Sequence, residues 1–227
     1  YTSGGNMFKQ IFEIFKSDSL YEQALTECHE MLEIVREMFN ESINSLRNSD
    51  TAEIPIDIYA TDKKINEFER DVRRKVMTHL AIGGKEDIGS GLILVSVVID
   101  IERIGDYTKN IYDLALNHPK KLTAGSLEST LNDMENSTKE FLNKAIDAFK
   151  NQDIDLARSL MTDYKKEIAS TSNDIVNALV SGQNAEFSSD KASALCLYAR
   201  YLKRIAAHSR NLVSSIVNPF ERIGYPE

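Results

Sequence analysis

Residues 99–111 read IDIERIGDYTKNI, and this stretch decides how the rest of the chain is read. It lies in a long apolar segment with helical period. The spacing of four between Glu102 and Asp106 stacks two carboxylates on one helix face. Ile101, Ile104 and Ile111 mark an apolar stripe beside them. Acids close to a buried stripe cost free energy unless something pairs with them, and the partner is either a metal ion or a basic side chain. Gly105 sits between the acids. A glycine inside a helix costs about 1 kcal/mol against alanine, so it predicts a close backbone approach, room for a ligand cluster, or plain packing.

A second stretch, RYLKRIAAHSRNL at residues 200–212, aligns with the first without a gap at a shift of 101 residues. Arg103, Ile104 and Asn110 meet Arg204, Ile205 and Asn211, and five further positions pair conservatively, Ile101 with Leu202 and Thr108 with Ser209 among them. This is an internal repeat. The acids break it: Glu102 becomes Lys203 and Asp106 becomes Ala207, so the second copy has lost its carboxylates.

Working outward, few of the 227 residues are Gly or Pro, 10 and 4, which suits long helices with few turns. A net charge of −8 argues against sequence-independent nucleic-acid binding. Arg73, Arg74 and Lys75 read as a solvated helix face rather than a phosphate cradle. The two cysteines, Cys28 and Cys196, have no metal-ligand spacing, and a reducing cytoplasm is the default compartment. The apolar run at residues 92–99, LILVSVVI, is too short to span a membrane and reads as a helix buried nearly all round. No signal peptide is legible, and the leading YTSGGN reads as a cloning scar or fragment end.

The chain divides into three long helices, a short linker and three more. FKQIFEIF opens it as a short amphipathic segment, with Ser17, Asp18 and Ser19 offering caps. Helices follow at about 20–47, 56–80 and 86–117. The second carries the stripe Ile58, Ile65, Phe68, Val72, Val76 and Met77, and Gly83 and Gly84 end it. His118 and Pro119 stop the third. Residues 120–125 are the linker. Three more helices run at about 126–150, 153–180 with Asp153 as cap, and 188–218. Strand-like alternation is absent. The expected fold is all-α: two tandem antiparallel three-helix bundles at residues 18–119 and 125–219, after an N-terminal segment 1–17 and before a tail 220–227.

In the first bundle, Asp62 and Asn66 repeat the spacing of four on the preceding, antiparallel helix. With Glu102 and Asp106 they make a candidate metal set. Bundles build such sites from inward carboxylates, and oxygen-only ligation suits Mg, Ca, Mn or iron more than tetrahedral zinc. Against this, acidic pairs at this spacing are common on solvated helices, and Arg103 could pair with an acid and remove any need for an ion. In the second bundle, the 101 shift sets Thr162 and Asp163 against Thr61 and Asp62, and Glu167 against Asn66, so that Asp163 and Glu167 would face Lys203. A 103 shift instead aligns Ile65, Val72 and Val76 with Ile168, Ile175 and Leu179. Under either shift the second site is weak or lost. The four histidines are scattered, and no nucleophile elbow, phosphate loop or HExxH motif is present.

ERIGDYTKNI at residues 102–111, the degenerate YLKRIAAHSRNL and the Asp62 helix together resemble the PhoU family, over nearly the whole chain from about Ser19 to Asn218. The resemblance implies two tandem three-helix bundles and E(D)xxxD motifs that hold metal ions or clusters, with iron, zinc, manganese and magnesium all associated. It implies a non-enzymatic cytoplasmic regulator of phosphate uptake, peripheral to the membrane at most. Such a regulator works between phosphate transporter components and a sensor histidine kinase. Glu102 and Asp106 match the motif fully and Asp62 matches the acid of the neighbouring helix. Asn66 stands where a second acid is usual, and Lys203 and Ala207 depart from the pattern. The alternatives are the cytoplasmic PhoU-like domain of a sodium–phosphate cotransporter, and a metal-free helical adaptor in which Glu102 pairs with Arg or Lys. A homodimer is the default expectation for a soluble oligomer.

Overall fold

The computed structural model describes residues 20–83, 85–164, 168–182 and 186–226. Among them are seven α-helices and no strand. They are α1 (Leu20–Asn48), α2 (Ile58–Gly83), α3 (Ile88–Asn117), α4 (Glu128–Asn151), α5 (Ile154–Tyr164), α6 (Ser170–Val180) and α7 (Ser189–Val217). The FKQIFEIF segment, its neighbouring caps and Gly84 lie outside the described residues. The protein is all-α, as its sequence predicts.

α1, α2 and α3 pack on one another, and α4, α5 and α6 pack around α7. The expected stripe of α1 is its core face: Ala24, Met31, Val35, Met38 and Phe39 are buried. On α2, Ile58, Ile65, Val72 and Val76 are buried, but Met77 is 67% exposed. Val76 already fills the inward position, and its neighbour stands about 100° further round the helix. α2 starts where Asp57 Oδ1 accepts the Ala60 N–H at 3.0 Å, so the helix begins at Ile58, two residues after the start that the sequence suggests. The stretch expected as the fifth helix is described as α5 and α6, with residues 165–167 outside the described residues. α5 begins, as expected, under the Asp153 carboxylate, which accepts the Leu156 N–H at 3.0 Å, and a π turn at Ile168–Ala169 leads into α6.

α3 packs against α1, α2 and α7, and this is why its sequence is apolar nearly all round. Ile93, Leu94, Val97 and Val98 are buried, while Leu92 keeps 39% exposure. The α3–α7 contact brings the two copies of the repeat together. Tyr107 stacks on His208, its counterpart at the 101 shift, with ring centres 5.8 Å apart. On one side of that pair, His208 Nδ1 lies 2.7 Å from Asp100 Oδ1. On the other, Tyr107 meets Tyr201 at 6.1 Å. Residues 100 and 201 are themselves repeat counterparts, so the two contacts are related by an approximate two-fold axis.

Asp100 is 7% exposed and also accepts from Asn211 Nδ2 at 2.8 Å. A carboxylate only accepts, so His208 Nδ1 carries a proton. On the other side of the ring, Arg204 Nη2 lies 3.3 Å from His208 Nε2.

A second polar hub ties the halves. The Arg47 side chain is 7% exposed and reaches from α1 into the second bundle. It pairs with Glu128, donates to Glu135 Oε2 at 3.1 Å and to Asn132 Oδ1 at 2.8 Å, and also bonds the carbonyl of Leu122. Tyr198 OH of α7 donates to the same Glu135 oxygen at 2.7 Å. The linker is strapped down beside it: Leu122 N–H donates to Leu46 O at 2.8 Å, and Leu122 and Ala124 are fully buried.

Candidate functional site

The carboxylates expected to converge between α2 and α3 do stand on facing helices, and what lies between them is Lys109. Its Nζ is 2.8 Å from Asp62 Oδ2 and 3.1 Å from Asp106 Oδ1. Lys109 follows Asp106 by three residues, so the two share a helix face, and the antiparallel α2 delivers Asp62 to the same place. Arg103 covers the other side. Its Nη1 is 3.1 Å from Asp106 Oδ2 and its Nε is 3.5 Å from Glu102 Oε2. Asn66 is tied to Asp62: its amide nitrogen donates to the Asp62 carbonyl at 2.9 Å and lies 3.5 Å from Asp62 Oδ2.

Glu102 is the electrostatic focus. It is 9% exposed. Burial pushes its carboxyl up to about 7, the nearby Asp106 charge adds to the rise, Arg103 opposes it, and Glu69 and a hydrogen bond with Asp106 raise it further. Lys109 is held above its ordinary value. Burial alone would lower it, and its hydrogen bonds and charge interactions with Asp62 and Asp106 outweigh that. The cluster therefore combines a carboxyl that readily keeps its proton with two carboxylates sharing one ammonium.

Glu69 was not singled out in the sequence. It lies three residues beyond Asn66 on the stripe through Asp62 and is engaged by Arg73 at 3.2 Å. The i, i+3 spacing was the available signal. Lys109 was missed because its role depends on a residue 47 positions away. Gly105 is explained by packing. A Cβ there would stand 3.0 Å from Ile65 Cδ1 and 3.5 Å from Val35 Cγ1, so its absence lets α1 and α2 close on α3, and no ligand space is involved.

Asp62, Asp106 and Glu102, with the Asn66 amide oxygen, are hard oxygen donors that suit Mg, Mn or iron in kind. As placed, however, no group of three or more His, Cys, Asp or Glu side chains among the described residues is arranged to hold an ion. The cation that the geometry seats is Lys109. An ion would have to displace that ammonium from Asp62 and Asp106.

The counterpart in the second bundle carries no acids at the motif positions. Lys203, in place of Glu102, donates to Asn173 Oδ1 at 2.7 Å. The Asp163 side chain and Glu167 lie outside the described residues. Ile168, Ile175 and Leu179 are buried, as are Ile65, Val72 and Val76, so the stripe aligned by the 103 shift is core in both halves.

Two copies of a helical unit, joined through their motif helices and bearing an acidic cluster on one of them, define a tandem-repeat helical protein of PhoU type. The PhoU domain model matches twice, at residues 28–115 and 131–216. The chain belongs to the PhoU family. It is 27% identical over 207 residues to the phosphate-specific transport system accessory protein PhoU homolog 1 of Thermotoga maritima, covering 87% of each. It is 24% identical over 189 residues to the PhoU homolog of Pseudomonas aeruginosa, covering 81% of this chain and 76% of that protein. The fold matches the crystal structure of the phosphate transport system regulatory protein PhoU from Streptococcus pneumoniae with a TM-score of 0.75 at 18% identity, covering 87% of this chain and 93% of that one. PhoU from Pseudomonas aeruginosa gives 0.73 at 20% identity, covering 87% and 95%.

Proposed function

We propose that this protein is a cytoplasmic, non-enzymatic regulator of phosphate transport and phosphate-responsive signalling. It acts through protein contacts with transporter components and a sensor histidine kinase. The observation that carries this reading is the match of both repeats to the PhoU domain, with Glu102 and Asp106 on the motif helix of the first. No helix among the described residues is long and apolar enough to cross a membrane, which is compatible with a regulator that visits a transporter rather than forming one. The test is expression in a bacterium whose own PhoU gene is deleted, reading phosphate uptake and a phosphate-starvation reporter in phosphate-rich medium. The chain should shift both towards the parental values. Expression at normal levels with neither readout moved would refute the reading.

The acidic cluster is the regulator's cation-responsive element in this proposal. Asp62, Asp106 and Glu102 would hold the ion, one of Fe, Mn, Mg or Zn, with Asn66 in support. When bound, the ion would supply the counter-charge that Lys109 supplies without it. A metal-free helical adaptor is the second reading, and the Lys109 bridge favours it. Elemental analysis of untagged protein beside Glu102→Ala/Asp106→Ala separates the two. Stoichiometric metal lost in the variant supports the first, and none in either supports the second.

A further inference from the structure

The second copy of the motif helix has exchanged charge as well as losing acids. α7 carries five basic residues against one acid, Asp190, whereas α3 carries four acids against two basic residues, in a chain of net charge −8. Arg200, Lys203, Arg204 and Arg210 fall within about a third of the circumference of α7, with Lys203 and Arg210 two turns apart on one stripe. No carboxylate pairs with any of the four among the described residues. Lys203 reaches an amide and Arg204 reaches Tyr107 OH at 3.2 Å and His208. Among the described residues this row therefore has no acid as counter-charge, and it raises the positive potential of the surface it lies on.

At the Arg210 end of this stripe the surface is concave. A cleft of ≈650 Å³ lies between α5, α7 and the tail, lined by Arg158, Thr162, Tyr164 and Arg210 and closed by Gly224 and Pro226. The Arg210 guanidinium lies over the Tyr164 ring at 5.6 Å, which fixes its plane. Its Nε is buried with no hydrogen-bond partner. A buried guanidinium N–H without an acceptor is costly, and a ligand oxygen would relieve that cost. Tyr164 lies within the field of three arginines, Arg210, Arg204 and Arg200. The tail is held over the cleft by Gly224 N–H to Ser214 Oγ at 2.8 Å and by Asn218 Nδ2 to the Tyr225 carbonyl at 2.8 Å. The cleft is therefore part of the folded structure.

We propose that this cleft, with Arg210 as its anchor, binds a small soluble oxyanion of the phosphate class. A planar guanidinium fork matches tetrahedral oxyanions in geometry and charge. The rest of the stripe extends the positive field and suits a multiply charged ligand such as pyrophosphate. The proposal stands on the charges and geometry of the second bundle and does not rest on the regulatory reading above.

The test is isothermal titration calorimetry of the full chain in low-salt, phosphate-free buffer, with inorganic phosphate and then pyrophosphate as probes. The expected result is saturable binding, tighter for pyrophosphate, with Kd raised at least tenfold in Arg210→Gln and unchanged in Arg74→Gln, an exposed arginine of α2. Should Arg210→Gln lose its helical circular dichroism, Lys203→Gln keeps the proposal testable, because that partly exposed side chain sits on the same stripe and should weaken pyrophosphate several-fold. No saturable binding, or equal binding in the wild type and in folded variants, overturns the site. Binding to vesicles containing 30 mol% phosphatidylglycerol with no response to either free anion also overturns it, by placing the phosphate on a lipid surface.

Discussion

Replacing Glu102 by glutamine should make the protein more stable at neutral and alkaline pH, although it removes a charged residue from the family motif. The magnitude follows from the site. An exposed glutamate ionises near 4.5 and the folded protein holds Glu102 to about 7. Each tenfold change in proton affinity is about 1.36 kcal/mol, so ionising this buried carboxyl costs the fold about 3 kcal/mol, less whatever solvent reaches through its 9% exposure. The folded value is raised, so the favourable contribution is complete below pH 4.5 and is lost as pH rises through 7. Glutamine keeps the shape of the protonated acid and has nothing to ionise. Urea unfolding of chelator-treated protein, followed at 222 nm between pH 4.5 and 8, reads the difference between wild type and variant. The difference should be near zero at pH 4.5 and reach about 2–3 kcal/mol in favour of the variant at pH 8, a midpoint shift of roughly 1 M. A difference independent of pH, or a variant less stable at pH 8, would show that Glu102 is paired as a carboxylate and would refute the reasoning.

Three further outcomes follow from the same geometry. Lys109→Met removes the ammonium shared by Asp62 and Asp106 and should tighten Mn(II) binding at least tenfold by calorimetry, while unchanged affinity would mean that Lys109 does not compete with an ion. Arg47→Met strips the cation from a hub joining α1, α4 and the linker, leaving Glu128 and Glu135 uncompensated. It should lower stability by about 3 kcal/mol in thermal or urea unfolding, and a loss under 1 kcal/mol would place the hub among ordinary surface pairs. Gly224→Ala puts a Cβ 2.8 Å from Asn211 Oδ1 at a residue with φ of +84°, so the tail should lift from α7 and its amides should lose hydrogen-exchange protection, with helical content retained. Unchanged protection would show that the tail is held by its other contacts alone.

The fold was legible because long amphipathic periods with few breakers leave little choice, and because one helix repeats. Residues such as Val35, Ile65 and Leu202 are apolar for the reason the period implies. Errors fall where two adjacent positions are both apolar and only one can face inward, as with Val76 and Met77, and where a helix changes its hydrogen-bond pitch, as at Ile168–Ala169. The site was legible in its spacing and not in its pairing. Four residues between Glu102 and Asp106 put both on one face whatever surrounds them. The identity of their counter-charge depends on which cation three-dimensional packing delivers, and Lys109 acts with Asp62 of another helix. Glu69 and the row of cations on α7 were hidden for a related reason. Surface charges are plentiful in this sequence, and only the structure distinguishes those that find partners from those that do not.

The two-fold relation between α3 and α7 carries a consequence for how the halves diverge. Were the two units identical subunits of a dimer, each contact across the axis would occur twice and be made by the same residue types. Asp100 could bond a histidine at 208 only if residue 107 were also a histidine and residue 201 also an aspartate, placing a second carboxylate–imidazole pair in the same interface. Covalent fusion removes that constraint. One side of the axis holds the aspartate–histidine bond and the other holds two tyrosines. Each half can thus specialise against a fixed partner without the change being imposed on its twin. One half keeps its acids, the other gathers cations, and their shared seam stays closed.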